Sequence, residues 1–210
     1  MYVPTPFEEH NEKEITNLIE QFPLAALVCC SDGEFIVNHV PLLRESDEVY
    51  IGHFAKANPL STLFPNGTNA IAIFNGENSY ISPNWYPTKA LDHRQVPTWN
   101  YQVVHLHGHI DFENSKKARM VVVGKLTRKY ERLTSGSKEW KMSDAPREYL
   151  DQMLENIVAF KFIVKKITAK SKLGQNRGEK DFKAVMSAMH RIGKPVLASA
   201  MKRTNKVGTR

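Results

Sequence analysis

Cysteine is nearly missing from this chain. Its 210 residues hold two, Cys29 and Cys30, adjacent in the run PLAALVCCS. Neighbours on a strand point to opposite faces and cannot form an ordinary disulfide, and two thiolates make a poor zinc site, so both read as small apolar fillers. No run of about 18 apolar residues is present to cross a bilayer. Met1 to Gln21 lacks a basic start and an apolar h-region, so export is not expected and the cytoplasm is, with no membrane partner. Acid is missing from residues 182–210. Seven of the 29 Lys and Arg lie there without an Asp or Glu, so the first 181 residues balance 22 against 22 and the whole net charge of +7 belongs to one end. Such a segment attracts polyanions, which makes Arg191, Lys194, Lys202, Arg203, Lys206 and Arg210 candidate nucleic-acid contacts; otherwise it is a solvated tail. There is no internal repeat, P-loop, Ser-His-Asp elbow or paired-carboxylate site.

With 41% hydrophobic and 24% charged residues the chain is of globular composition. The reading is one domain over 1–190 with a basic, flexible tail over 191–210. Asn11 and Glu14 approximate a capping box, and Ile15, Leu18, Ile19 and Phe22 recur at helical spacing, which predicts a helix over 12–22 stopped by Pro23. Alternating runs follow in LAALVCC, FIVNHVPLL, EVYIGHF and NAIAIFNG, with turn signals between them. A long strand is expected from Thr98 to Phe112, a helix capped by Ser115 to about Leu133, a helix in SDAPREYLDQMLENI, a last strand in AFKFIVKKITAK, and an amphipathic helix carrying Phe182, Val185, Met186 and Met189. About six antiparallel strands with peripheral helices make a mainly β, α+β protein built as a small barrel. No helix-turn-helix is evident, because strands or long loops separate the expected helices.

Three groups could carry chemistry. In GHFAKANPL, Lys56 supplies positive charge where a strand ends, and Asn58 to Leu60 open a short helix whose free N–H groups face the same spot, as a phosphate requires. A second basic group, KSKLGQNRG, brings Lys172, Gln175, Asn176 and Arg177 together; an Arg there can clamp a phosphate or a ring carbonyl. Trp85, Tyr86, Trp99 and Tyr101 could stack on a flat heterocycle or fill a barrel end. His105, His107 and His109 alternate in HLHGH and share one face of a strand. With no Asp or Glu inside the row, a metal centre is the lesser reading and none is assigned.

Taken together, NHVPLL, GHFAKANP, FNGENSYISPNWYP, VPTWNYQVVHLHG, LTRKYE, SDAPREYLDQML and KLGQNR resemble the PaiB family of FMN-binding negative transcriptional regulators, from Met1 to about His190. The resemblance implies an antiparallel FMN-binding split barrel working as a homodimer, with flavin at the subunit boundary. It also implies repression, in bacilli, of degradative-enzyme and sporulation genes. By position it assigns the phosphate cradle to Lys56 and Asn58 with His53 nearby, flavin-edge contacts to the backbone around His39 and Val40, further cofactor contacts to Gln175 and Arg177, and Trp85 and Trp99 to the flavin ring or the dimer contact. Gly174 replaces the family's usual Ser in KLSQNR. DNA through the basic tail is the candidate second partner. The alternative is a flavin-dependent oxidoreductase passing electrons from a nicotinamide donor through bound FMN.

Overall fold

The computed structural model describes residues 1–31 and 33–205. Asn11 opens α1 (Glu12–Gln21) by accepting from the N–H groups of Lys13 and Glu14 at 3.0 and 3.4 Å. The return arm of this cap comes from Glu9, which accepts from the Asn11 N–H at 2.9 Å. Glu14 is held elsewhere, its two carboxylate oxygens each 2.8 Å from Nε of Arg203.

Seven strands follow: β1 (Leu24–Ser31), β2 (Glu34–Pro41), β3 (Leu43–Arg44), β4 (Val49–Ala55), β5 (Thr68–Ile81), β6 (Thr98–Glu113) and β7 (Ile157–Lys172). They form one sheet in the order β2-β1-β5-β6-β7-β4-β3. The α+β class and the antiparallel sheet agree with the sequence. β2 and β3 are free edges, so the barrel is split rather than closed. Short α2 (Leu60–Leu63) and α3 (Lys89–Asp92) lie between strands, α4 (Lys116–Thr134) and α5 (Arg147–Glu155) between β6 and β7, and α6 (Glu179–Arg191) and α7 (Pro195–Asn205) at the end. Ser115 caps α4 as expected, accepting from Ala118 N–H at 3.1 Å.

The chain divides into two compact units: Met1–Phe22, Phe74–Val104 and Thr168–Arg210 form one, Pro23–Ile73 and His105–Ile167 the other. We call them unit 1 and unit 2; β5, β6 and β7 contribute a segment to each. In unit 2 the inward face is apolar, with Leu27, Cys29, Ala72, Leu106, Ile110 and Phe162 nearly inaccessible. Phe54 packs on Phe160 at 5.6 Å and edge-on to Phe112 at 5.9 Å. Burial pushes the Cys29 thiol up to about 11, which makes it the inert filler expected. Helix α4 sets Val122 and Leu126 against Leu43, Ile51 and Ala159. Gly108, between two of the histidines, lets β7 come close: a Cβ there would stand 1.9 Å from the Ile163 carbonyl oxygen.

Unit 1 is built around α6 and α7. Phe182, Val185 and Met189 of α6 pack with Leu197, Ala198, Ala200 and Met201 of α7, and with Ile81, Tyr86 and Leu173. The segment read as a tail from residue 191 is therefore structured through Asn205: Arg191 ends α6, and α7 buries an apolar stripe. Only residues 192–194 join the two helices, with Gly193 at φ 74°. The sequence had not suggested α7, because its basic residues hide the apolar stripe. Lys206 and Arg210 lie outside the described residues.

Candidate functional site

Unit 2 gathers five of the expected residues on β2, β4 and the turn after β4. The turn is pinned by backbone bonds from Lys56 N–H to the Asn156 carbonyl and from Asn58 N–H to the Ala55 carbonyl, both 2.8 Å. Oδ1 of Asn58 accepts from the Leu60 N–H at 3.0 Å, so it caps α2 as expected. Its Nδ2 donates to Oδ1 of Asn38 on β2 at 2.5 Å. That bond links the edge strand β2 to the turn, across a seam where the sheet has no ladder. Because α2 is a single turn, its dipole adds little. The positive potential comes from Lys56, exposed and without an ion pair for its ammonium among the described residues.

Two buried polar atoms in this corner are unsatisfied: Nδ2 of Asn38 and Nδ1 of His53. Burial lowers the pKa of His53, so its imidazole is neutral at pH 7. A buried polar group left unpaired costs about 1–3 kcal/mol, so such atoms point to a missing partner. An oxygen-rich ligand would accept from Asn38 and meet the charge of Lys56. The donor set fits a phosphate-bearing cofactor. His39 is exposed on the outward face of β2, opposite Ala26, and Val40 is buried opposite Ala25. Asn38 was missed in the sequence, although a polar side chain at an inward position between Ile36 and Val40 was a usable signal.

The other four expected contacts belong to unit 1. Gln175 is committed to its own turn: Oε1 accepts from Leu173 N–H at 2.8 Å, and Nε2 donates to the carbonyls of Ser171 and Pro6 at 2.6 and 3.0 Å. Gly174, at φ 82°, occupies a left-handed position that a Ser would strain. Arg177 lies over the Tyr86 ring at 4.9 Å and donates from Nη1 to Gln95 at 2.9 Å. Gln95 donates to Thr88, whose hydroxyl donates to buried Asp181 at 2.6 Å, so the chain of bonds holds the loop over 87–97 in place. Trp85 packs against the α6–α7 core. Trp99 is 52% exposed and edge-on to Tyr80, with centroids 6.2 Å apart.

The histidine row lies on β6 as expected. His105, His107 and His109 are half-buried and share a face, while Leu106, Gly108 and Ile110 point inward. Burial lowers the pKa of His105 and, helped by Lys166, that of His107. No group of three ligating side chains is placed to hold a metal among the described residues. Two of the candidate nucleic-acid residues are already paired, Arg203 with Glu14 and Lys194 with Glu77 at 3.8 Å. Arg191 and Lys202 are exposed. Among the described residues no helix is long and apolar enough to cross a membrane.

The family model FMN_bind_2, described as "Putative FMN-binding domain", matches residues 1–166. The chain is 34% identical over 200 residues to "Protease synthase and sporulation protein PAI 2" of Bacillus subtilis, covering 93% of this chain and 92% of the relative. Among solved structures, the FAD and heme binding protein from Mycobacterium smegmatis superposes with a TM-score of 0.59 at 14% identity, covering 84% of this chain and 79% of the other. The flavocytochrome Anf3 from Azotobacter vinelandii gives 0.58 at 15% identity, covering 84% and 75%. At these identities the likeness is one of fold.

Proposed function

The chain belongs to the FMN_bind_2 family of FMN-binding domains, and from that premise we propose that it is a homodimeric, cytoplasmic, FMN-dependent negative regulator of transcription. FMN is the cofactor of this family. The observation that carries the reading for this chain is the corner of Lys56, Asn58 and Asn38, with its free ammonium and unsatisfied buried amide. Lys56 would neutralise phosphate charge, Asn58 would hold the turn, and Asn38 would donate from Nδ2. Bound FMN supplies the redox chemistry of its ring.

The outward face of β2, β1 and β5 supports a dimer. Directly paired residues share a face, so Phe35 sits beside Cys30, and Val28 lies between Val37 and Ile71. Phe35 is 73% and Val37 51% exposed, an apolar lattice suited to a second copy. Contact with DNA is supported by the three-residue connection between α6 and α7 and by the exposed Arg191 and Lys202. The pairing of Arg203 and Lys194 makes that support narrower than the charge count alone suggested.

The test is a titration of purified protein with FMN, followed by absorption and flavin fluorescence. The expected result is a dimer that takes one FMN per chain, with Lys56→Ala weakening affinity roughly three- to tenfold, as suits an exposed charge. A colourless monomer that refuses FMN overturns the reading. A mobility assay at low salt, comparing Arg191→Ala/Lys202→Ala with the parent, tests the DNA contact separately.

A further inference from the structure

Two lysines of unit 1 are turned into the protein with no carboxylate to meet them. Lys170 and Lys172 stand two residues apart near the end of β7 and so share a face, while Ser171 between them turns away and accepts from Gln102 at 2.9 Å. Lys170 is only 9% exposed. Its ammonium donates to the Tyr2 carbonyl at 3.3 Å and lies 5.3 Å from the centre of the Tyr101 ring. Lys172 donates to the Thr98 hydroxyl and to the Trp99 carbonyl, the latter at 2.8 Å. Neither forms an ion pair among the described residues. Burial lowers the pKa of Lys172, Lys170 and Arg177 add to that effect, and the Tyr101 phenol opposes it.

A sunken charge without counter-charge, as at Lys170, is costly and uncommon; Lys172 beside it is half-buried. An ammonium has three N–H donors, so among the described residues Lys170, whose ammonium also lies 5.9 Å from the Tyr2 ring centre, retains two without a hydrogen-bond acceptor and Lys172 one. The Tyr101 hydroxyl, near both lysines, adds a donor with no hydrogen-bond partner among the described residues. Donors of this number around two positive charges suit a dianion with several oxygens, which is a terminal phosphate. Beside them the half-exposed rings of Trp99 and Tyr80 offer a surface for a flat base.

We infer that Lys170, Lys172, Tyr101 and Trp99 form a site for a free nucleoside phosphate, additional to the flavin corner. The site shares no residue with the corner in unit 2, and both lysines lie beyond residue 166, where the family match ends. Because the charges are recessed, a terminal phosphate with two charges fits better than the singly charged links of a polynucleotide, which stay at the surface.

The experiment is a calorimetric titration of the full chain with AMP, with and without saturating FMN, so that failure to take up flavin leaves this test standing. The expected result is one AMP per chain in both cases, no loss of flavin absorbance, and weaker binding of ribose 5-phosphate than of AMP. Lys172→Met should reduce AMP affinity at least tenfold. Trp99→Leu should remove the advantage of AMP over ribose 5-phosphate. Lys170→Met keeps the buried volume and serves as a second charge deletion, with near-UV circular dichroism reporting its fold. Unchanged AMP affinity in both lysine variants overturns the inference, as does no binding at millimolar AMP. Displacement of FMN by AMP would show one shared site and also overturns it. Binding of a 5′-phosphorylated single-stranded octamer more than tenfold tighter than AMP would overturn the choice of a free nucleotide.

Discussion

Asn58 does two separable jobs in the flavin corner, and two substitutions pull them apart. Its Oδ1 caps α2 and its Nδ2 holds Asn38. Asn58→Ala removes both bonds, each worth about 1 kcal/mol net, and strands a partly buried Asn38 oxygen, so urea unfolding should show a loss of about 2–3 kcal/mol. Asn58→Asp keeps the cap, and Asn38 can turn its unpaired amide nitrogen toward the new carboxylate. Its stability should stay within about 0.5 kcal/mol of the parent. Flavin binding should respond in the opposite order. A carboxylate about 5 Å from a phosphate bearing close to two charges is repelled by roughly 1.4–1.7 kcal/mol even in water, which is at least tenfold in affinity and shrinks with salt. Asn58→Asp should therefore fold well and bind FMN poorly, while Asn58→Ala folds less well and binds better than the Asp variant. Paired urea curves and FMN titrations at low and high salt measure both. If Asn58→Asp binds FMN as tightly as the parent, the phosphate is not beside this residue.

Gly108→Ala should cost about 3 kcal/mol or more, because its Cβ would stand 1.9 Å from the Ile163 carbonyl and force β6 from β7; a melting temperature equal to the parent's would contradict that packing. His53, His105 and His107 have folded-state pKa values below the ordinary 6.5, so the neutral forms favour the fold. Their contribution is complete above about pH 6.5 and is lost as pH falls through that value toward the lower folded ones. Melting temperature should thus drop between pH 7.5 and 5.5, less so in His105→Gln/His107→Gln, and a flat profile would count against it. Ending the chain at Arg191 removes buried Leu197 and Met201, worth about 1.5–3 kcal/mol each, so the shortened protein should lose most of its stability. Recovery of a shortened chain that melts like the parent would show that α7 is dispensable.

What the sequence made legible was local. The caps at Asn11 and Ser115 and the alternation of β6 depend on neighbours a few residues away, and their boundaries came within one residue. What it hid was pairing across long separations. Glu14 looked like the partner of Asn11, but Arg203 claims it from 189 residues away. The same bond explains why charge counting overstated the free cations near the end. Lys56 and Asn58 were visible because charge, cap and strand end are contiguous. Asn38 showed only its polar inward position, since its partner is 20 residues on. The resemblance put Gln175 and Arg177 at the cofactor, and nothing in the sequence signalled the loop-holding bonds that both make in unit 1.

The patchwork composition of unit 1 bears on how the protein is made. Every segment of unit 2 has been synthesised by residue 167, whereas unit 1 waits for Thr168–Arg210. At about 5–20 residues per second, the ribosome needs a few seconds to deliver that last piece. Through this interval the opening residues Met1–Phe22 have already emerged without the helices they will pack with, so nascent chains stalled here are where a chaperone's grip should be strongest.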